Sequence, residues 1–262
     1  MKYYVLAKSE PSMPLKEVLL LIKESGFEGV FFNLEYDDIK FEEIDLCRKL
    51  NLDIETLHLP YGNSTEKINL LWKADDEAMY TIDEYKKYID FAANNNIKTV
   101  IMHASNGFNP PKPNPKGLKY FEIIADYCEK KNVILAIENI KSIEHVSYIL
   151  ENLKQKCVKL CFDIGHANAF TKNLDSNIWN KLFLKLHCVH LHDNSGEKDE
   201  HLLPGMGTID WDYWKKKISS FMNSSHFTFE IHYNGREEYY KNISHRDFYK
   251  YAAKKIREML EK

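Results

Sequence analysis

The sequence predicts an α/β protein folded as a single (β/α)8 TIM barrel, and two observations support this prediction. First, short apolar runs alternate with longer amphipathic segments rich in Lys and Glu, which is typical of an α/β fold. Eight such pairs fill 262 residues at about 33 residues each, and a βα unit takes ~30 residues. Second, the runs are continuously apolar, as expected of parallel strands buried on both faces. A doubly wound open sheet has the same texture, but eight units favour closure into one barrel over residues 1–262.

The elements follow in order along the chain. Strands are predicted at Tyr3–Ala7, Gly29–Leu34, Ile54–Leu59, Thr99–His103, Val133–Glu138, Lys159–Asp163, Cys188–Leu191 and Phe227–Ile231. Apolar positions at 3.6-residue spacing predict helices at about Pro14–Ser25, Phe41–Leu50, Ala78–Asn94, Lys116–Lys131, Ser142–Lys156, Asn177–Lys185, Trp211–Met222 and His245–Leu260. Gly26 is a stop signal for the first helix, and Ser142 with Glu144 is typical of a helix start.

Composition excludes several classes of protein. The hydrophobic fraction of 44% provides for a large core and excludes global disorder. The formal net charge of −3 argues against a protein that holds nucleic acid through bulk positive charge. No apolar run approaches the ~18–20 residues of a membrane helix, and the N-terminus lacks the apolar segment of a signal peptide. The cytoplasm is therefore the expected location.

Two common kinds of site are also excluded by the sequence. The five cysteines are scattered in apolar segments without a CxxC pair, which predicts reduced core thiols and no cysteine zinc site. No GxGxxG or GxxxxGK[ST] loop follows the first strand, which argues against the usual nucleotide-binding folds.

Acids and histidines stand at the ends of six successive predicted strands. They are His58, His103, Glu138, Asp163, His190 and Glu230. In a barrel of this type the catalytic residues come from the C-terminal ends of the strands. A carboxylate at the end of a buried strand must be paired, hydrogen-bonded or bound to metal, and no Lys or Arg occupies these six positions. A divalent metal with mixed imidazole and carboxylate ligands fits the set best.

Each of these residues has a purely structural explanation when taken alone, but the six together favour a metal site. Four other histidines lie in predicted helices or at strand beginnings and are expected to pack or face solvent: His145, His187, His226 and His245. His192 and His232 stand two residues beyond ligand-type positions, where they could support a ligand or contact substrate.

The segment Val189–Trp211, VHLHDNSGEKDEHLLPGMGTIDW, is the most specific part of the sequence. After His190 comes a polar loop with Asp199 and His201, and an Asp-x-His pair in such a loop can contribute two more metal ligands. Asp210 or Thr208 is expected to cap the following helix.

Four motifs resemble the xylose-isomerase-like barrel superfamily, which includes sugar (phosphate) isomerases and epimerases and the AP endonucleases of family 2. These motifs are LHLPYG (57–62), AIENI (136–140), FDIGHA (162–167) and HLHDNSGEKDEHLLPGMGTIDW (190–211). The resemblance implies one metal held by Glu138, Asp163, His190 and Glu230 in the isomerases. For the AP endonucleases it implies three zinc ions held by His58, His103, Glu138, Asp163, His166, His190, Asp199, His201 and Glu230.

Two functions are weighed on this basis. The first is a sugar or sugar-phosphate isomerase or epimerase that transfers a proton through a metal-stabilised enediolate. Its catalytic residues are Glu138, Glu230 and His166, its cofactor is one to three ions of Zn, Mn or Mg, and its partner is a small carbohydrate. Substrate contacts are expected at His192, Trp72, Phe108 and Trp211.

The second function is a zinc-dependent AP endonuclease that hydrolyses the phosphodiester at abasic sites of DNA. The AP endonucleases of this superfamily carry an HPG element where this sequence has His103-Ala104-Ser105, and the segment PGMGTIDW resembles the sugar isomerases more than the nucleases. Both features favour the first function. A sugar-binding barrel without catalysis is a third alternative. The apolar and aromatic residues Phe248, Tyr249 and Tyr251 predict either internal packing or a homodimer contact.

Overall fold

Eight parallel strands form the centre of the fold. A computed structural model describes residues 1–8, 13–36, 39–62, 67–73, 77–172, 177–222 and 226–260. The strands are β1 (Lys2–Ala7), β2 (Gly29–Asn33), β3 (Asp53–His58), β4 (Thr99–His103), β5 (Ile134–Glu138), β6 (Val158–Asp163), β7 (Leu186–His190) and β8 (His226–Phe229).

The helices lie between the strands and after the last of them. They are α1 (Leu15–Glu24), α2 (Phe41–Leu50), α3 (Lys67–Lys73), α4 (Glu77–Asn94), α5 (Pro115–Lys130), α6 (Ile143–Asn152), α7 (Ile164–His166), α8 (Asn177–Leu182), α9 (Trp211–Phe221) and α10 (His245–Leu260). A π-helical turn at Ala167–Thr171 follows α7, and a 3-10 turn at Phe183–Lys185 follows α8.

The strands pair in chain order, and β1 also pairs with β8, so the sheet curls into a barrel. Between β7 and β8 the contact is a parallel bridge from Leu191 to Phe229. The Leu191 N–H donates to the carbonyl of Thr228 at 2.9 Å, and the Glu230 N–H donates to the carbonyl of Leu191 at 3.0 Å. The predicted (β/α)8 barrel is confirmed, and these bonds join β7 to β8 where the barrel closes.

Packing follows from the apolar patterns. Helix α1 buries Leu15, Val18, Leu19 and Ile22, which lie three and four residues apart and therefore share the face turned to the sheet. Inside the barrel, the small side chains of Ile101, Ala136, Cys161 and Cys188 form a separate apolar cluster. All five cysteines are unpaired, as the sequence predicts.

The last helix packs against the barrel. Phe248 and Tyr249 of α10 are only 1% and 4% exposed, so of the two predicted roles these side chains fill the packing one. Among the helices of the described ranges, none is long and apolar enough to cross a membrane.

Helical structure appears in two places where the sequence predicted none. One is α3, and the other is α7 with its π-helical turn. Helix α7 begins at the end of β6 because the side chain of Asp163 accepts a bond from the N–H of His166 at 2.6 Å. One helix is shorter than predicted. Helix α6 ends at Asn152 and not at Lys156, because Leu153 already has extended backbone angles.

Candidate metal centre and active site

The carboxyl ends of the strands bring the predicted ligands to one end of the barrel. The register between neighbouring strands places these residues at the same height along the barrel axis. His103 pairs with Glu138 across β4 and β5, and Asp163 pairs with His190 across β6 and β7. These side chains are buried except that of Asp199, which is 32% exposed. The nine residues that were predicted as ligands fall into three groups, of which the first two share Glu138 and the third also contains His192.

The first group joins His58, His103 and Glu138. The Nε2 atoms of His58 and His103 each lie 3.0 Å from Oε2 of Glu138. The His58 Nδ1–H donates to the carbonyl of Leu59 at 2.9 Å, which leaves its Nε2 lone pair turned to the centre. The ring of Tyr61 stacks on His103 at 4.0 Å between centroids.

The second group contains the last residues of β5, β6 and β7 and the residue that follows β8: Glu138, Asp163, His190 and Glu230. Nδ1 of His190 lies 2.6 Å from Oε1 of Glu138 and 2.9 Å from Oε2 of Glu230. Phe31 from inside the barrel stacks on the His190 ring at 4.4 Å. Two carboxylates therefore flank one imidazole at the floor of the site.

The third group combines His166, His192, Asp199 and His201. Nε2 of His166 lies 3.2 Å from Oδ2 of Asp199, and Nε2 of His201 lies 3.2 Å from Oδ1 of the same carboxylate. The Nδ1–H groups of His166 and His201 donate to the carbonyls of Asn139 and Glu230 at 3.0 and 2.8 Å. His201 has a positive φ of 49°, a conformation that is unusual for a residue other than glycine.

Burial and charge oppose each other in the pKa values of this site. Burial raises the pKa of Glu138, but the imidazoles of His190, His103 and His58 outweigh it and hold this pKa well below the ordinary value. Burial lowers the pKa of His190, yet the carboxylates of Glu138 and Glu230 raise it well above that of a free histidine. At His103 burial outweighs the neighbouring Glu138 carboxylate and lowers the pKa to about 4.

The third group shows the same opposition. Burial lowers the pKa of His201, but the Asp199 carboxylate outweighs it and raises this pKa to about 9. The pKa of His166 is raised well above the ordinary value in spite of burial, through Asp163 and Asp199. Without a metal, protons on these imidazoles therefore balance the buried carboxylates.

The side chains present fit a divalent metal. His58, His166 and His201 share one arrangement, in which Nδ1–H donates to a backbone carbonyl and Nε2 meets a carboxylate. Metal-binding histidines are oriented in this way. In addition, the buried Oδ2 of Asp163 makes no hydrogen bond within the described part of the chain. The donors are imidazole nitrogens and carboxylate oxygens, both of which bind divalent metals.

Asp193 organises the loop that carries Asp199 and His201. Its fully buried carboxylate accepts four bonds, from the backbone N–H groups of Asn194, Gly205 and Ile209 and from the indole N–H of Trp211, at 2.8 to 3.3 Å. The PGMGTIDW segment therefore folds around this side chain. At Gly207 a Cβ atom would lie 2.3 Å from Oδ1 of Asp193, so the loop requires glycine there.

Arg236 ties this loop to the segment after β8. Its guanidinium donates to the carbonyls of Asp199 at 3.2 Å, Glu200 at 2.5 Å and Gly235 at 2.8 Å. The sequence analysis did not identify Arg236, because nothing in its local pattern shows that it reaches back to the ligand loop.

A cavity of about 240 Å³ opens over the three groups. Besides the ligands, its lining residues include Tyr36, Tyr61, Asn106, Lys141, His232 and Arg236. Pockets for drug-sized ligands measure ~300–1,000 Å³, so this one suits a smaller molecule. Tyr36, Tyr61, Asn106 and Lys141 were also missed from sequence. Three of them had a positional signal, since Tyr61, Asn106 and Lys141 each follow a predicted strand-end ligand by three residues.

The structure places all four predicted substrate contacts outside the described cavity lining. Trp72 is 2% exposed, and its indole N–H donates to the carbonyl of Ala104 at 2.7 Å, so it is a core residue. Trp211 supports Asp193 as described above. His192 is fully buried beside His201 and stacks on its ring at 4.0 Å. Phe108 is 75% exposed and is not in the described lining either, but its ring centroid lies 4.1 Å from Nζ of Lys141, which does line the cavity.

Comparisons with known proteins agree with this fold. A D-tagatose 3-epimerase-like protein covers 100% of this chain and 98% of its own, with a TM-score of 0.72 and 20% identity. A D-allulose 3-epimerase from Methylomonas sp., solved with D-allulose, covers 100% and 96% with a TM-score of 0.75 and 14% identity. The uncharacterized protein y4fM of Sinorhizobium fredii is 24% identical over 253 residues, 82% of this chain and 80% of its own.

The match to a family decides the classification. The family described as the xylose isomerase-like TIM barrel matches residues 19–259, nearly the whole chain. Since the eight-stranded barrel is also present, the protein belongs to the xylose isomerase-like TIM barrel family.

Proposed function

We propose that this protein is a divalent-metal-dependent epimerase or isomerase of a small carbohydrate. The observation that carries the proposal is the pair of carboxylates, Glu138 and Glu230, on either side of His190 at 2.6 and 2.9 Å beneath a small cavity. The similarity in fold to sugar 3-epimerases supports it.

The proposed metal ligands are Glu138, Asp163, His190 and Glu230, which lie within 4.8 Å of one another. A divalent ion bound there supplies positive charge that stabilises negative charge developing on the sugar's carbonyl oxygen. The other two groups offer five further ligands, namely His58, His103, His166, Asp199 and His201, so the proposal includes one to three ions.

The chain's own groups perform the proton transfer in this proposal. One glutamate accepts the proton of the C–H bond next to the carbonyl. The electron pair of that bond forms a double bond to the carbonyl carbon, and the π pair of the carbonyl group moves to its oxygen; both pairs return when the carbon is protonated again. The other glutamate then donates a proton to the opposite face, which inverts the carbon. Both pKa values are held low by His190, so both carboxylates are ionised near neutral pH and one of them must first take up a proton. His166, which lines the cavity, orients a sugar hydroxyl.

Deuterium exchange tests this proposal directly. Metal-loaded protein is incubated in D₂O with a panel of ketoses and aldoses, and deuterium at the carbon next to the carbonyl is measured by NMR. Glu138→Gln and Glu230→Gln should each lower exchange by ~10²–10⁴-fold, the usual contribution of a general acid or base. Glu151→Gln, an exposed position at the end of α6, is the matched control and should leave exchange unchanged.

Two results would contradict the proposal. One is the absence of exchange with every sugar of the panel, and the other is exchange that persists after the metal is removed with a chelator. An assay with an abasic-site duplex addresses the alternative of an AP endonuclease. Chelator-sensitive cleavage of that duplex without sugar exchange would replace the proposed function. The small cavity and the epimerase-like fold favour the sugar.

A further inference from the structure

Lys141 stands at the wall of the cavity with an oriented positive charge. It follows β5 by three residues and lines the same cavity as Glu138 and Glu230. Neither the metal groups nor the proposed proton transfer uses this side chain. The proposed reaction therefore does not explain why a lysine lines the cavity at this position.

Two aromatic rings hold the Lys141 ammonium in place. Nζ lies 4.1 Å from the ring centroid of Phe108 and 5.3 Å from that of Phe170. The two rings meet edge to face at 6.0 Å. Both distances lie within the ~6 Å of a cation–π contact, so the rings orient the ammonium without neutralising it.

No acidic side chain in the described ranges pairs with this ammonium. Other lysines differ in this respect, since Lys67 and Lys131 form ion pairs with Glu84 at 2.7 Å and Asp90 at 2.5 Å. Arg236 is the arginine of the described cavity lining, and it donates three of its five N–H groups to backbone carbonyls. Of the lysine and arginine side chains in the described lining, Lys141 is therefore the one whose N–H donors all remain available for an anion.

We propose that Lys141, held by Phe108 and Phe170, binds an anionic group, a phosphate ester or a carboxylate, on the sugar. This proposal rests on the proposed function and narrows its substrate class to sugar phosphates or sugar acids. The carbonyl end of the sugar lies over the carboxylates at the cavity floor, and the anionic end lies at the rim. A neutral sugar would leave the oriented charge without a partner.

Matched ligands test the subsite. Binding of D-fructose, D-tagatose, D-psicose and D-sorbose is compared by calorimetry with binding of their 6-phosphates and of D-fructuronate, which carries a carboxylate. Wild-type protein should bind at least one anionic sugar more tightly than its neutral counterpart. Lys141→Met keeps the side-chain length without the charge and should lower this preference by ~10-fold or more. Lys141→Arg should retain most of it.

Lys250→Met is the control for a lost lysine charge, because Lys250 is exposed on α10. It should leave the affinities for neutral and anionic sugars unchanged. The proposal is wrong if no anionic sugar binds more tightly than its neutral counterpart. It is also wrong if Lys141→Met lowers the affinities for neutral and anionic sugars equally. Preference for a phosphate or for a carboxylate then identifies the natural group.

The subsite and the reaction can fail separately. Charge-selective binding that depends on Lys141, with no deuterium exchange for any sugar, retains the subsite and contradicts the proposed reaction. Exchange of a neutral sugar with equal efficiency in wild type and Lys141→Met retains the reaction and overturns the subsite.

Discussion

The carboxylate of Asp193 should be one of the largest single contributors to stability at the active-site end of the barrel. Each of its oxygens accepts two bonds. Oδ1 accepts from the backbone N–H groups of Asn194 and Ile209 at 2.9 and 3.3 Å. Oδ2 accepts from the N–H of Gly205 and the indole of Trp211 at 2.8 and 2.9 Å. All of this lies in a fully buried position.

Asp193→Asn keeps the shape and replaces one acceptor by an NH₂ group. Whichever way the amide turns, two of the four donors lose their acceptor and face another donor. An orphaned buried donor costs ~1–3 kcal/mol, so the free energy of unfolding should fall by roughly 2–6 kcal/mol. The free energy of unfolding of a native protein is only ~5–15 kcal/mol, so this loss is a large fraction of it.

Urea unfolding of metal-free protein, followed by circular dichroism, measures the change. Removing metal first separates the stability of the loop from that of the bound ion. Trp211→Phe removes a single donor and should cost less, roughly 1–2 kcal/mol. Asp212→Asn, exposed one position into α9, is the control and should change stability by less than ~0.5 kcal/mol. If Asp193→Asn is as stable as this control, the reasoning about buried acceptors is refuted.

Two further predictions concern the ligands themselves. A Cβ atom at Gly165 would lie 1.9 Å from the His192 ring, so Gly165→Ala should displace that ring. Zinc affinity, measured in competition with a chelator, should therefore fall. Unchanged zinc affinity and unchanged stability would contradict the observed packing. Because Asp199 raises the pKa of His201 to about 9, His201 carries a proton at pH 7 in metal-free protein and must lose it to bind zinc. Zinc affinity should therefore rise as pH increases toward 9, by up to ~10-fold per pH unit for each proton released, and titration calorimetry in buffers of different ionisation enthalpy should detect proton release. Affinity that is independent of pH between 6 and 8 would show that His201 is not a ligand.

The barrel and the end of it that carries the site were predictable from local patterns. Continuous apolar runs identify buried parallel strands, and the residue at the end of such a strand must lie at the rim. For this reason Glu138, Asp163 and His190 could be placed together without coordinates. The helical start after β6 was not predicted, because it depends on the Asp163 side chain accepting from a backbone N–H three residues later.

The cavity wall was harder to predict than its floor. Trp72 and Trp211 were expected to contact substrate because large aromatic residues near polar loops often do so. Instead, their indole N–H groups donate to Ala104 and Asp193, partners that only the folded chain brings into reach. Lys141 and Arg236 were missed for the converse reason, since their roles depend on rings and carbonyls from other loops.

The sequence by itself determined the barrel and the candidate ligands, because strand ends are set by local apolar patterning. The tertiary structure decided how those candidate ligands divide into three groups, which imidazole nitrogen each histidine presents, and which rings hold the Lys141 ammonium. The physical reason is that hydrogen-bond direction and charge pairing depend on contacts between residues far apart in the chain. Such contacts form only when the eight strands close and their loops meet at one end.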